Sequence, residues 1–287
     1  MSLLGKSAII GRRITDMMLK CIVYAMVPWC LFALIPLHAA PAIAAIIQIE
    51  TQTSITVADG RVEVEVTATN KGDEPARNVH VHLMLLGKSR NSKARALLGE
   101  GESVTISFRE IPSPSKAGTY PLITRVTFQD VNRHPFSAVS CSTFPIGEGI
   151  NSALEFLGKD LSITRSGLLR FTVKNSGSKE KTTSATLVLP EELSTPIPRR
   201  DLVIGPGAKE VLLFEISNFS ALVGAVYPVF CYLEYDSGDA HCTEVATSSV
   251  SIVKAENWFR RTRPVWLGLA IIMGMIIVAC QFKRKIS

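Results

Sequence analysis

The chain reads as all-β: two tandem immunoglobulin-like β-sandwiches, with an N-terminal signal peptide and one C-terminal transmembrane helix. Three observations predict this class. The middle of the chain alternates apolar and polar residues with a period of two. The same order of landmarks occurs twice there, about 106 positions apart. Two long apolar runs sit at the ends, each beside basic residues. A length of 287 residues fits about two domains.

Residues 1–44 carry the three parts of a secretory signal. Lys6, Arg12, Arg13 and Lys20 form a basic leader, residues 21–37 (CIVYAMVPWCLFALIPL) an apolar region, and Ala42-Ile43-Ala44 a small-x-small cleavage site. Cleavage falls between Ala44 and Ala45; an uncleaved signal anchor is the other reading of this long leader.

Between residues 46 and 254 the pattern is that of half-buried strands. Val62, Val64, Val66 and Ala68 alternate with Arg61, Glu63, Glu65 and Thr67, and Leu169, Phe171 and Val173 alternate with Arg170, Thr172 and Lys174. Asn70-Lys71-Gly72 is matched by Asn175-Ser176-Gly177, and Gly99-Glu100-Gly101 by Gly205-Pro206-Gly207. Gly118-Thr119-Tyr120-Pro121 is matched by Gly224-Ala225-Val226-Tyr227-Pro228, and Phe128-Gln129-Asp130 by Glu234-Tyr235-Asp236. Asn70 and Asn175 are 105 positions apart, Pro121 and Pro228 are 107 apart. Such regularity predicts two homologous domains, 45–148 and 149–254, each of the size of a seven-stranded sandwich. The short connection around Ile146-Gly147-Glu148-Gly149 suits sandwiches placed in line, with a reach of roughly 70–80 Å if each spans strands of ordinary length plus loops.

This series of landmarks resembles the CARDB-type adhesion domains and related bacterial Ig-like sandwiches. The resemblance covers both central domains and neither apolar end. It implies an exported module used as a spacer, an adhesion domain or a part of an envelope assembly. It carries no catalytic motif.

Residues 255–263 form a juxtamembrane stretch with Arg260, Arg261 and Arg263. Residues 264–282 (PVWLGLAIIMGMIIVACQF) contain no charge, and Lys283, Arg284 and Lys285 lie in a tail of residues 283–287. Nineteen helical residues rise about 28 Å, close to the hydrocarbon thickness of a bilayer. Trp258, Phe259 and Trp266 stand at the boundary that aromatic rings prefer. The formal charge of +6 is thus gathered beside the apolar runs, which is a topological pattern and argues against a nucleic-acid partner.

Candidate sites are few. Cys231 and Cys242 flank the turn at Ser237-Gly238, and an oxidising compartment would allow them to form a disulfide. His80, His82 and Met84 share one face of a strand, a donor set suited to copper; an ordinary solvated sheet face is the competing reading. Asp130, Asn132, Asp236 and Asp239 sit at turns, where such residues serve the backbone and occasionally calcium. Asn218-Phe219-Ser220 is a glycosylation sequon. No phosphate loop, G-x-S-x-G or H-E-x-x-H is present, and no enzyme activity or cofactor is expected.

Two functions fit. One is a membrane-anchored, exported interaction or scaffold protein, a non-catalytic subunit of a cell-envelope assembly with a protein partner. It would sit in the cytoplasmic (inner) membrane by a single pass, with its bulk on the periplasmic or extracellular side. The alternative is an adhesion or polysaccharide-binding module. Sugar sites favour exposed aromatics, yet Trp29, Trp258 and Trp266 all lie in or beside the apolar ends. A metal-handling role rests on His80, His82 and Met84 alone.

Overall fold

The computed structural model describes residues 47–147, 152–255 and 258–286, with side chains of the last segment described for 262–276. The leader and the Ala44–Ala45 junction lie outside the described residues.

Seventeen strands and one helix are described. The first sandwich contains β1 (Ile49–Ala58), β2 (Arg61–Asn70), β3 (Ala76–Leu85), β4 (Lys88–Asn91), β5 (Arg95–Leu98), β6 (Ser103–Pro112), β7 (Gly118–Gln129) and β8 (Pro135–Ile146). One of its sheets is β1-β2-β6; in the other, β3 takes β4 and β5 on one side and β7 on the other, and β8 closes the edge.

The second sandwich contains β9 (Leu154–Lys159), β10 (Leu161–Ile163), β11 (Ser166–Asn175), β12 (Lys181–Val188), β13 (Leu193–Ser194), β14 (Arg199–Ile204), β15 (Lys209–Asn218), β16 (Val226–Ser237) and β17 (Ala240–Ile252). Its sheets are β13-β15-β11-β9 and β14-β12-β16-β17, with β10 added in parallel to β17.

The alternation read from the sequence decides which side of each strand is buried. Val62, Val64, Val66 and Ala68 of β2 are fully buried, as are Leu169, Phe171 and Val173 of β11. Each of these valine, leucine and phenylalanine side chains contributes on the order of 1.5–3 kcal/mol of transfer free energy. One core gathers residues from β2 through β8, the other from β9 through β17. In the second, Phe171 meets Phe214 edge-on at 6.1 Å between ring centroids and an interplanar angle of 81°.

The repeated landmarks occupy matching places. Both Asn70 and Asn175 are fully buried at the end of a strand. The Asn70 amide donates to the Glu74 and Leu98 carbonyls, and its Oδ1 accepts the Gly72 N–H at 3.0 Å. The Asn175 amide donates to Lys179, Ile204 and Gly205, and its Oδ1 accepts the Gly177 N–H at 3.0 Å. One side chain thus ties three chain segments together at the same place in each sandwich. Replacing Asn175 by Ala removes three hydrogen bonds to backbone carbonyls and the acceptor of the Gly177 N–H. It is expected to cost about 2–3 kcal/mol in chemical denaturation, and a cost below about 0.5 kcal/mol would refute the tying role.

The tyrosines of the second landmark also correspond. Tyr120 Oη donates to the Lys116 carbonyl at 2.8 Å, and Tyr227 Oη accepts the Leu222 N–H at 3.0 Å. Each fastens its strand to the backbone just upstream.

The helix α1 (Trp258–Ile286) encloses residues 264–282. Among the described residues, no helix is long and apolar enough to cross a membrane.

Candidate functional site

The largest departure from expectation is how the sandwiches meet. They are not set end to end. Contacts between them run along β7 from Gly118 to the level of Thr127, so the sandwiches lie side by side. The nine steps from Gly118 to Thr127, at about 3.3 Å each, make this seam roughly 30 Å long. A linker of any length is compatible with lateral packing once the two facing surfaces are complementary, which is why linker length was a poor guide.

At one end of the seam, the first residue of β7 meets the start of β17. Gly118 pairs with His241 in parallel register, joining a sheet of each sandwich into one of ten strands. The His241 N–H donates to the Ala117 carbonyl at 2.9 Å. The His241 ring stacks on Tyr120 at 4.5 Å and 17°. Gly118 has φ +143°, and a Cβ there would overlap the His241 carbonyl oxygen and lie 2.7 Å from its N and C atoms. Gly224, the matching landmark of the second sandwich, has nothing within 4 Å of such a position. Lys116 pairs with Asp236 at 2.9 Å, and its ammonium group holds the Asp236 carboxyl below the usual range. His241 Nδ1 lies 3.1 Å from Asp236; its Nε2 is 3.4 Å from Glu234 Oε1, an ion-pair distance without hydrogen-bond geometry.

The middle of the seam is apolar. Ile123, Val139 and Cys141 of the first sandwich pack with Val188, Phe230 and Tyr232 of the second. Burial pushes the Cys141 thiol up to about 12, with Glu234 adding to the effect.

At the other end a buried carboxylate clasps the neighbour. Glu192 is 1% exposed, and accepts the Ser137 N–H at 2.8 Å and the Ser137 hydroxyl at 2.7 Å. Ser137 Oγ in turn accepts the Glu191 N–H at 2.7 Å. The Glu192 carbonyl accepts the N–H groups of Phe219 and Ser220. Arg125 donates to the Leu189 carbonyl at 3.0 Å and approaches Glu191 at 3.9 Å. A groove of about 390 Å³ opens beside Arg125, lined by Met84, Ile123, Leu189, Pro190 and Tyr232 among others.

A wider cleft of about 860 Å³ lies on the second sandwich near the β16–β17 turn. Lys181, Arg199, Asp201, Glu234, Asp236 and His241 line it, so its charges are mixed. Lys181 Nζ donates to Ser237 at 2.9 Å and sits 5.2 Å from the Tyr235 ring centroid.

The residues singled out from the sequence have the following places. Cys231 faces Ala246 and Cys242 faces Tyr235 in the β16–β17 ladder. They are four positions apart along the strand, roughly 13 Å, which is beyond the reach of a disulfide. Both are buried free thiols, and the expected disulfide is therefore corrected. The alternation that puts them on one core face also separates them lengthwise. Peptides containing Cys231 and Cys242 are expected to alkylate fully after denaturation without reductant; a requirement for reductant would restore the bond. Alkylation of the folded protein should be slow at Cys141 too. Its thiol stays protonated in the folded state while an unfolded thiol ionises near 9.0. This thiol therefore leaves stability unchanged below pH 9 and lowers it as pH rises from there towards 12, because only the unfolded chain ionises.

His80 and His82 stack at 6.1 Å between ring centroids. Both His82 nitrogens have partners, Asn91 at 2.9 Å and Thr127 at 3.1 Å. Met84 is exposed and borders the groove by the seam. Among the described residues no cluster of three or more His, Cys, Asp or Glu is placed to hold a metal. Asp130 accepts the His134 N–H at 2.7 Å, closing its own turn. Asn218 donates to the Ala221 carbonyl and accepts the Ala221 N–H, so the sequon asparagine closes a turn as well.

Sequence reasoning missed Ser137, Glu192, Arg125 and His241. Gly118, Tyr120, Glu234 and Asp236 carried a signal, as landmarks of the repeat.

No family model matches the chain, and no curated protein does. Among solved structures the chain is similar to Escherichia coli alpha-2-macroglobulin activated by porcine elastase, at 10% identity and a TM-score of 0.29, covering 75% of this chain and 23% of that one. It is similar to red sea bream transglutaminase at 11% identity and a TM-score of 0.26, covering 74% and 32%. A Porphyromonas gingivalis W83 protein of unknown function matches at 12% identity and a TM-score of 0.29, covering 70% of this chain and 99% of that one. The chain thus spans less than a third of the length of the first two.

Proposed function

We propose that the protein is a membrane-anchored, non-catalytic interaction subunit of a cell-envelope assembly, built on CARDB-type sandwiches. The observation that carries this reading is the clasped seam. It holds two sandwiches as one platform by a backbone bridge, an apolar contact and a buried carboxylate. A fixed platform presents surfaces from both sandwiches at a constant spacing, which is what alignment of a partner requires.

The anchor reading is supported by the uncharged run at 264–282 and by the basic residues on either side of it. In this reading residues 1–44 direct export, and the platform stands outside the cytoplasmic membrane. Purification of the full-length protein from native membranes in mild detergent is expected to bring a stoichiometric membrane-protein partner. Recovery of the chain by itself would overturn the assembly role and favour the polysaccharide-binding alternative.

A further inference from the structure

The loop from Asn218 to Val226 is unusually apolar for a surface loop. Phe219 is 79% exposed, Leu222 50%, Val223 64% and Val226 61%. Contiguous exposed apolar groups on a soluble surface mark a contact with another apolar phase. The loop is also held in shape. Asn218 closes its first turn, Tyr227 fixes Leu222, and Glu192 holds Phe219 and Ser220 by their N–H groups.

Its position names the occupant. The Gly224 N–H donates to the Ile252 carbonyl at 2.7 Å, and Val226 faces Ser251 across the ladder. The loop is therefore at the end of the second sandwich where the chain leaves for α1. From Val253 to Trp258 is five residues, a span of at most about 18 Å. An anchor beginning there keeps this end of the sandwich at the bilayer surface. Exposed Arg165, whose carbonyl accepts the Asn218 N–H, and exposed Lys254 add positive charge beside the apolar tip. Exposed apolar side chains with two cations on their flank suit the headgroup–acyl boundary of an anionic bilayer.

We propose that the loop Asn218–Val226 is a lipid-docking loop, with Phe219, Leu222 and Val223 entering the bilayer surface beside the anchor. This rests on the anchor reading. A single helix leaves the platform free to tilt and turn; a second contact a short distance away fixes its orientation.

The test places a photoreactive benzoylphenylalanine at position 219, 223, 157 or 272 of the full-length protein, reconstituted in vesicles of phosphatidylethanolamine and phosphatidylglycerol. Leu157 is 70% exposed on the outer face of the β13-β15-β11-β9 sheet and serves as the control. Position 272 reports on the anchor. Lipid adducts at 219 and 223, with none at 157, are expected. Lipid adducts at 272 but not at 219 or 223 would sink the docking loop and leave the anchor standing. Adducts at 219 to a protein copy instead of lipid would also sink it, since the patch would then be an interface. Adducts at 219 and 223 without any at 272 would support the docking loop and refute the anchor. No lipid adduct at any position would refute both.

Discussion

Replacing Gly118 by Val is expected to open the seam. Two costs act together. The backbone at φ +143° is one that L side chains rarely adopt, and the new Cβ would occupy the space of the His241 backbone. The pairing of β7 with β17 cannot survive because one strand must withdraw, and withdrawal also breaks the Tyr120–His241 stack. The loss should reach at least about 3 kcal/mol, in the upper range for single substitutions. Relief comes most easily by parting the sandwiches, because each retains its own core. The readout is Cys141, which lies in the middle of the seam. At 1.4 kcal/mol per tenfold, its alkylation in the folded protein should accelerate by roughly a hundredfold. Cys231 and Cys242, buried in the second core, should remain slow. Unchanged Cys141 labelling in a folded Gly118→Val protein would mean the seam does not depend on this contact.

Glu192→Ala is the second large effect. Its carboxylate takes two hydrogen bonds from Ser137 while almost fully removed from water. Hydrogen bonds to charged groups contribute about 1.5–3 kcal/mol each, and truncation leaves the Ser137 N–H without its acceptor. A loss of about 3 kcal/mol, or a fall in the thermal midpoint of about 6–12 °C, is expected for a body of this size. Glu192→Gln keeps the shape and an acceptor and should lose less. If Ala and Gln were equally mild, the clasp would have no energetic weight.

The fold was legible because burial follows local alternation. Val62, Val64 and Val66 announce their core face without reference to any distant residue, and the two buried asparagines mark the repeat. The seam was not legible. Ser137 and Glu192 are 55 positions apart and have no periodic signature; an acid after Pro190 reads as an ordinary turn residue. Cys231 and Cys242 show the opposite error. Proximity along the chain suggested a bond that strand register forbids, since each position of offset in a hairpin ladder moves the partners by two residues of chain. The apolar loop was hidden by its sequon, which drew attention to Asn218 and away from Phe219, Leu222 and Val223.

The duplicated glycines carry a further consequence. Gly118 is covered by the next sandwich, while its counterpart Gly224 is open. Two matching positions of the sequence repeat therefore stand in different surroundings, one covered and one open. The contact is therefore asymmetric: β7 reaches across to β17, whereas β16, among the described residues, pairs with β12 and β17 of its own sandwich.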